Sequence, residues 1–302
     1  MPAAVACAVG AAALQPHAPA APPAAPPAAF EQSVKGAAIT LKMVPISGAD
    51  GVRPFYMSTT EVPWELYDVF VYQLDAEKGD GSPEADAVAR PTKPYISMDR
   101  GFGHAGWPAI SMSAKNAQTF CEWLSKKTGR TYRLPTQAEW LRAAAVAGIP
   151  AAAVQDYAWV SENATGTTHK IASKKADAAG LYDLYGNAAE WVTDPAGKPL
   201  IIGGSYRDAA AVVGPTKREP DNPDWNASDP QFPKSVWWLA DGGFIGLRVV
   251  TEDAAPAKAA PPAGTPPASV PPSAAPPAGN APATKPPVSK PADSPKTGAP
   301  NA

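Results

Sequence analysis

The sequence predicts an α+β fold with few helices, short sheets and much ordered loop. Three observations carry that expectation. Helical periodicity is confined to three stretches between Pro63 and Gly148. Beyond Gly148 the chain is rich in Gly, Asn, Asp and Pro, interrupted only by short β-forming runs. All nine tryptophans lie between Trp64 and Trp238, which places the aromatic core in the middle of the chain.

The elements follow in chain order. The run from Ile39 to Ile46 (ITLKMVPI) alternates before the Gly48-to-Gly51 turn, and Pro54 to Ser58 (PFYMS) follows, so the domain opens on a β-hairpin. A first helix starts near Pro63, with Tyr67, Phe70, Val71 and Leu74 on one apolar face. Glu77 to Gly106 has Gly, Pro and Asp without a period and reads as a long surface loop. A second helix is bounded by Ser113 as N-cap and Gly129 as terminator, with Ala117, Phe120, Cys121 and Leu124 as its buried stripe. Cys121 is therefore expected to be a packed, inert thiol. The third helix is announced by Thr136 and Glu139, a capping box in which hydroxyl and carboxylate each satisfy an orphan amide, with Trp140 and Ala144 facing inward. Later strand candidates are Leu200 to Ile202 and Phe244 to Val250.

Composition divides the chain. Residues 1–34 read as a truncated signal peptide plus an Ala/Pro-rich linker, 35–253 as the globular domain, and 254–302 as a disordered Pro/Ala-rich tail that cannot bury enough apolar surface to offset its ordering entropy. The opening MPAAVACAVGAAAL has the apolar character of an export signal, yet the first basic residue is Lys35. If translation starts upstream, Cys7 falls in a lipoprotein-like box and is a candidate lipid anchor. Export to the periplasm or cell envelope is the expected location. Two cysteines in segments of different character make no structural disulfide. The net charge of −2 without a basic run argues against a nucleic-acid partner, and no apolar run reaches the length of a transmembrane helix.

Three segments together resemble the formylglycine-generating-enzyme or sulfatase-modifying-factor domain family, whose fold is related to C-type lectins. They are SAKNAQTFCEWLSKKTGRTYRLPTQAEWLRAAAVA from Ser113 to Ala147, GLYDLYGNAAEW from Gly180 to Trp191, and Gly203-Gly204-Ser205 with the closing Gly246 to Val250. The resemblance implies calcium held by the side chains of Asp183 and Glu190 and the carbonyls of Gly186 and Ala188, hard-oxygen chemistry suited to that ion. From the residues alone, an alternative stays open in which Asp183 caps a turn and Glu190 pairs with an arginine such as Arg248. A second calcium site would fall between Trp159 and Lys170, with Asn163 as the evident oxygen donor.

The copper-dependent oxidases of this family place two thiolates after a Gly-Gly-Ser, because soft sulfur suits Cu(I). The matching positions here are Asp208 and Val213, so copper is not expected. Iron is not expected either: the related sulfoxide synthases use a histidine triad, and this chain has only His17, His104 and His169. No nucleophile elbow, phosphate loop or dinucleotide fingerprint is present, and no catalytic residue is assigned. Polar and aromatic residues on the long loops, Ser205, Tyr206, Arg207, Asp208, Arg218, Trp225 and Trp238, form the expected ligand face. The sequence thus points to a non-catalytic, calcium-stabilised pseudoenzyme that binds or scaffolds an unknown protein or small-molecule ligand. The alternative is a divergent oxidoreductase of the same group.

Overall fold

The computed structural model describes residues 28–75, 88–91, 93–94, 96–227 and 241–252. Every described residue lies within Met1–Lys258. The expectations for the signal-like start, Cys7, His17, Trp237, Trp238 and the Pro/Ala-rich tail fall outside the described residues.

Two four-stranded sheets frame the domain. The first has the order β1-β2-β3-β8, formed by Phe30–Ser33, Thr40–Ile46, Phe55–Ser58 and Val250–Thr251, all antiparallel. The second has the order β6-β5-β4-β7, formed by Gly214–Pro220, Pro199–Gly203, Ala189–Thr193 and Ile245–Gly246, with β4 and β7 parallel. Single bridges join Arg133 to Val250 and Thr136 to Thr193, so the segment between the second and third helices touches both sheets.

The helices end where their local chemistry dictates. Helix α1 (Trp64–Val71) starts after Pro63 and buries Tyr67, Phe70 and Val71 as expected. Leu74 does not continue that face: the helix stops at Val71, Gln73 turns into the left-handed region, and Leu74 is 44% exposed. Helix α2 (Ala114–Thr128) carries the expected Ser113 cap, which accepts the Asn116 amide, and ends on Gly129 in the left-handed conformation. Helix α3 (Gln137–Ala147) opens with both halves of the Thr136/Glu139 capping box and ends on Gly148. A short helix α4 (Val154–Tyr157) follows.

The core lies where the tryptophans predicted it. Trp123, Trp140 and Trp191 are fully buried, and Phe70, Phe120 and Trp123 pack ring against ring between α1 and α2. The Cys121 thiol is buried in the same cluster, and burial pushes its pKa far above the ordinary thiol range. Strands β1, β4 and β6 had no prior signal, β1 lying in the stretch read as a linker, and the Phe244-to-Val250 run breaks into two short strands around Arg248. Among the described residues no helix is long and apolar enough to cross a membrane.

Candidate functional site

Two polar centres flank β4. The first is buried and organised around Arg248. Its Nε donates to Glu190 Oε1 at 2.8 Å, its Nη1 to the Ser58 carbonyl at 2.8 Å and its Nη2 to the Tyr182 carbonyl at 2.8 Å. The other Glu190 oxygen accepts the Trp140 indole N–H at 2.8 Å. Burial lifts the Glu190 carboxyl above the ordinary range, against the pull of Arg248 and Trp140. Glu190 therefore pairs with Arg248, as the alternative sequence reading has it.

Asp183 stands in the left-handed region at φ 52° and its Oδ2 accepts the Ala172 amide at 2.8 Å, so it does cap a turn. Its Oδ1 is buried without a hydrogen-bond partner. Burial, only partly offset by that amide and Arg248, raises the Asp183 carboxyl to about 6. Glu61 is the third carboxylate at this node. Its Oε1 accepts Asn187 Nδ2 at 3.0 Å while its Oε2 is buried without a partner. Burial and then the Asp183 charge push Glu61 well above the carboxylate range. Three buried carboxylates thus surround one guanidinium.

Main-chain packing fixes this centre. A Cβ on Gly186 would lie 2.2 Å from the Trp159 carbonyl, so only glycine permits the approach, and Asn187 N–H donates to that same oxygen at 2.8 Å. Asn187 Oδ1 in turn accepts the His169 amide at 2.8 Å. The acids that the resemblance assigns to calcium differ in their bonding. Asp183 offers a free buried oxygen, whereas both Glu190 oxygens are already bonded. The second buried, unpartnered carboxylate oxygen of the neighbourhood belongs to Glu61. Asn163 Oδ1 accepts the Val160 amide at 2.9 Å, which occupies it locally.

The second centre is the loop after β5. Ser205 is buried, and its amide and hydroxyl both donate to Asp208 Oδ2, at 2.9 and 3.1 Å. Asp208 Oδ1 lies 3.2 Å from Lys217 Nζ, and Val213 packs in the apolar cluster around Trp140. The positions that would carry thiolates are thus a carboxylate closing its own turn and a core side chain. Tyr206 is half-buried with its ring edge-on to Phe102, Arg207 lies over Phe244, and Trp225 meets Trp191 and Phe244 edge-on. Arg218 of β6 lines a cleft of about 370 Å³ with Asp194, Lys198, Glu219 and Asp221, and also a narrow crevice with Asp208, Lys217 and Phe244. Of the expected ligand face, Arg207 and Trp225 contact Phe244, Asp208 and Arg218 line a crevice with that same ring, Tyr206 packs on Phe102, and Ser205 is internal.

The two described histidines belong to different networks. His104 sits between Asp68 (2.7 Å) and Asp99 (3.0 Å), and His169 stacks on Trp159 at 3.7 Å. Among the described residues no group of three or more His, Cys, Asp or Glu side chains is arranged to hold a metal, a statement that does not bear on calcium held through carbonyls. Sequence reasoning missed Glu61 and Asn187. The signal for Glu61 was a lone acid ahead of the apolar Val62, Pro63 and Trp64.

The model of the sulfatase-modifying factor enzyme 1-like domain matches residues 32–232. The chain belongs to this family. Solved structures of the same fold include the Treponema denticola variable protein 1, at 18% identity and a TM-score of 0.54, covering 75% of this chain and 100% of that one. PvdO from Pseudomonas aeruginosa aligns at 21% identity with a TM-score of 0.49, over 75% of this chain and 98% of that one. CarF aligns at 18% identity with a TM-score of 0.46, over 70% and 98%. A comparison with curated proteins finds no match. The family follows from the domain-model match, and the fold from it and the Treponema structure; the activity of any one member does not follow.

Proposed function

We propose that this member is a non-catalytic, calcium-stabilised binding or scaffold domain of the cell envelope. One observation carries the reading: the loop after Gly203-Gly204-Ser205 has no sulfur, and its Asp208 is bonded to Ser205 and Lys217 as a structural turn. The remaining core thiol, Cys121, is held protonated on a buried helix face. Retained architecture with a refilled chemical position is what a binding module built on an enzyme scaffold requires.

The calcium part is supported by Asp183 Oδ1 and Glu61 Oε2, two buried oxygens without partners, since an unpaired buried carboxylate is costly until a proton or cation joins it. When bound, the ion would neutralise that excess and fix the turn from Asp183 to Asn187. The envelope part is supported by the apolar start and the Pro/Ala-rich sequence after residue 253, the composition of an exported, tethered domain.

The test is direct. The full chain is incubated with a cysteine-containing sulfatase-type peptide, copper and oxygen, and the peptide is weighed by mass spectrometry. No aldehyde product is expected. Turnover to the formylglycine mass would establish the oxidoreductase alternative and end the non-catalytic reading.

A further inference from the structure

The described arginines differ in what they hold. Arg90, Arg133 and Arg248 each hold a carboxylate, at 2.6, 2.6 and 2.8 Å. Arg100 and Arg207 form no ion pair among the described residues, yet neither is a loose surface chain. Arg100 is half-buried, its Nε donates to Ser111 Oγ at 3.2 Å, and its Nη2 is buried without a partner. Arg207 lies with its guanidinium carbon 3.1 Å from the centre of the Phe244 ring.

The two arginines pack against adjacent residues of one segment. A Cβ on Gly243 would stand 3.1 Å from Arg100 Cγ, and Phe244, the next residue, carries Arg207. Tyr206, the chain neighbour of Arg207, sets its ring edge-on to Phe102 at 5.5 Å. Burial raises the Tyr206 phenol, and the charges of Arg207 and Arg100 both pull it back, so both cations are felt at this one hydroxyl. The geometry is held at a conformational cost. Arg100 and its partner Ser111 both stand in the left-handed region, at φ 57° and 64°, where non-glycine residues persist only if the surroundings impose them. The nearest acid on the loop, Asp208, is already taken by Ser205 and Lys217.

We propose that Arg100 and Arg207, walled by Phe102, Tyr206 and Phe244, form a subsite for an oxyanion. A guanidinium presents planar, paired N–H donors matched to carboxylate, sulfate or phosphate oxygens, and an aromatic face beneath it fixes its plane. The free Nη2 of Arg100 supplies a donor that a bound oxygen would satisfy. This rests on the reading of the domain as a binding module and names the chemistry its ligand would present there.

The experiment uses the full chain and isothermal titration at constant ionic strength in chloride. One arm adds sodium sulfate; the other adds a tripeptide with a free C-terminal carboxylate, with its C-terminal amide as control. Saturable binding in at least one arm is expected, weakened ten-fold or more in both Arg207→Gln and Arg100→Gln, and unchanged in Arg53→Gln, which alters an exposed arginine that pairs with Glu252. Binding of sulfate alone identifies a free oxyanion as the source; binding of the peptide but not its amide identifies a carboxylate. Arg207 is exposed, so its variant keeps the test valid if Arg100→Gln fails to fold. No saturable binding in either arm, or binding that survives Arg207→Gln, overturns the subsite. That null, with the cysteine peptide unoxidised, would leave a binding module for an uncharged ligand, whereas oxidation of the peptide would remove the binding reading itself.

Discussion

Asp183 and Glu190 look equivalent in the sequence, two acids bracketing a glycine turn, but their surroundings separate them. Glu190 spends both oxygens on Trp140 and Arg248, whereas Asp183 keeps Oδ1 free beside Glu61. Their neutral variants should therefore behave differently. Calcium at about 1 mM is expected to raise the wild-type Tm, and Asp183→Asn and Glu61→Gln to abolish that rise, as linkage to a bound ion requires. Glu190→Gln should lower the Tm by a similar amount with and without calcium, because it leaves the Arg248 guanidinium buried beside a neutral amide. Thermal scans of the three variants with calcium or a chelator check this, and a calcium shift that persists in Asp183→Asn would remove that residue from the site. Glycine at 186 is likewise explained only by what it touches, the Trp159 carbonyl.

At the scale of elements, one histidine adds a titratable clamp to the contacts that join α1 and the loop before α2. His104 Nε2 meets Asp68 of α1 at 2.7 Å, its Nδ1 meets Asp99 of the loop at 3.0 Å, and its ring stacks on Trp64. Glu65 on the same helix accepts the Gly106 amide at 2.7 Å, and Tyr72 faces the same two aspartates. Burial disfavours the imidazolium, but the bonds and charges of Asp68 and Asp99 outweigh it and raise the His104 pKa. A raised folded-state value means the clamp contributes fully below the unfolded pKa and fades as pH rises through the folded one. The Tm difference between wild type and His104→Gln should thus be largest near pH 6 and shrink by about pH 9, read from thermal scans across that range. An unchanging difference would show that ring packing, and not charge, holds the loop. The helices themselves were legible because their ends are local: Ser113, Gly129, Thr136, Glu139 and Gly148 act within a turn of where they stand. Leu74 was misplaced because the turn at Gln73 ended the helix before periodicity did.

Across the whole molecule, Arg248 is the tie. One guanidinium reaches the Ser58 carbonyl in the first sheet, Glu190 in the second and the Tyr182 carbonyl in the loop between. Its charge is retained because Glu190 and the other two carboxylates outweigh the burial that opposes it. A lysine has neither the reach nor the fork to make three such bonds, so Arg248→Lys should cost about 3–5 kcal/mol, the range for breaking a buried pair. Urea denaturation checks the magnitude; a loss under about 1 kcal/mol would mean that apolar packing and the bridges through Arg133 and Thr136 suffice to join the sheets.

The sequence by itself determined the three helices, the opening hairpin, the buried thiol and the family, because capping chemistry and apolar periodicity act over a few residues and the motif words are contiguous. Strands β4 and β6 were not legible: β4 is buried without alternation, and β6 is a charged run, KRE, whose pairing with β5 supplies the order. Only the tertiary structure decided the partners of the charged groups. Glu61 and Asn187 stand 126 positions apart, Ser58 and Arg248 190 apart, and no local rule links them. It also decided that Asp208 closes a turn while Arg100 and Arg207 are left without an acid, since which charge is neutralised depends on distance in space and not on spacing along the chain.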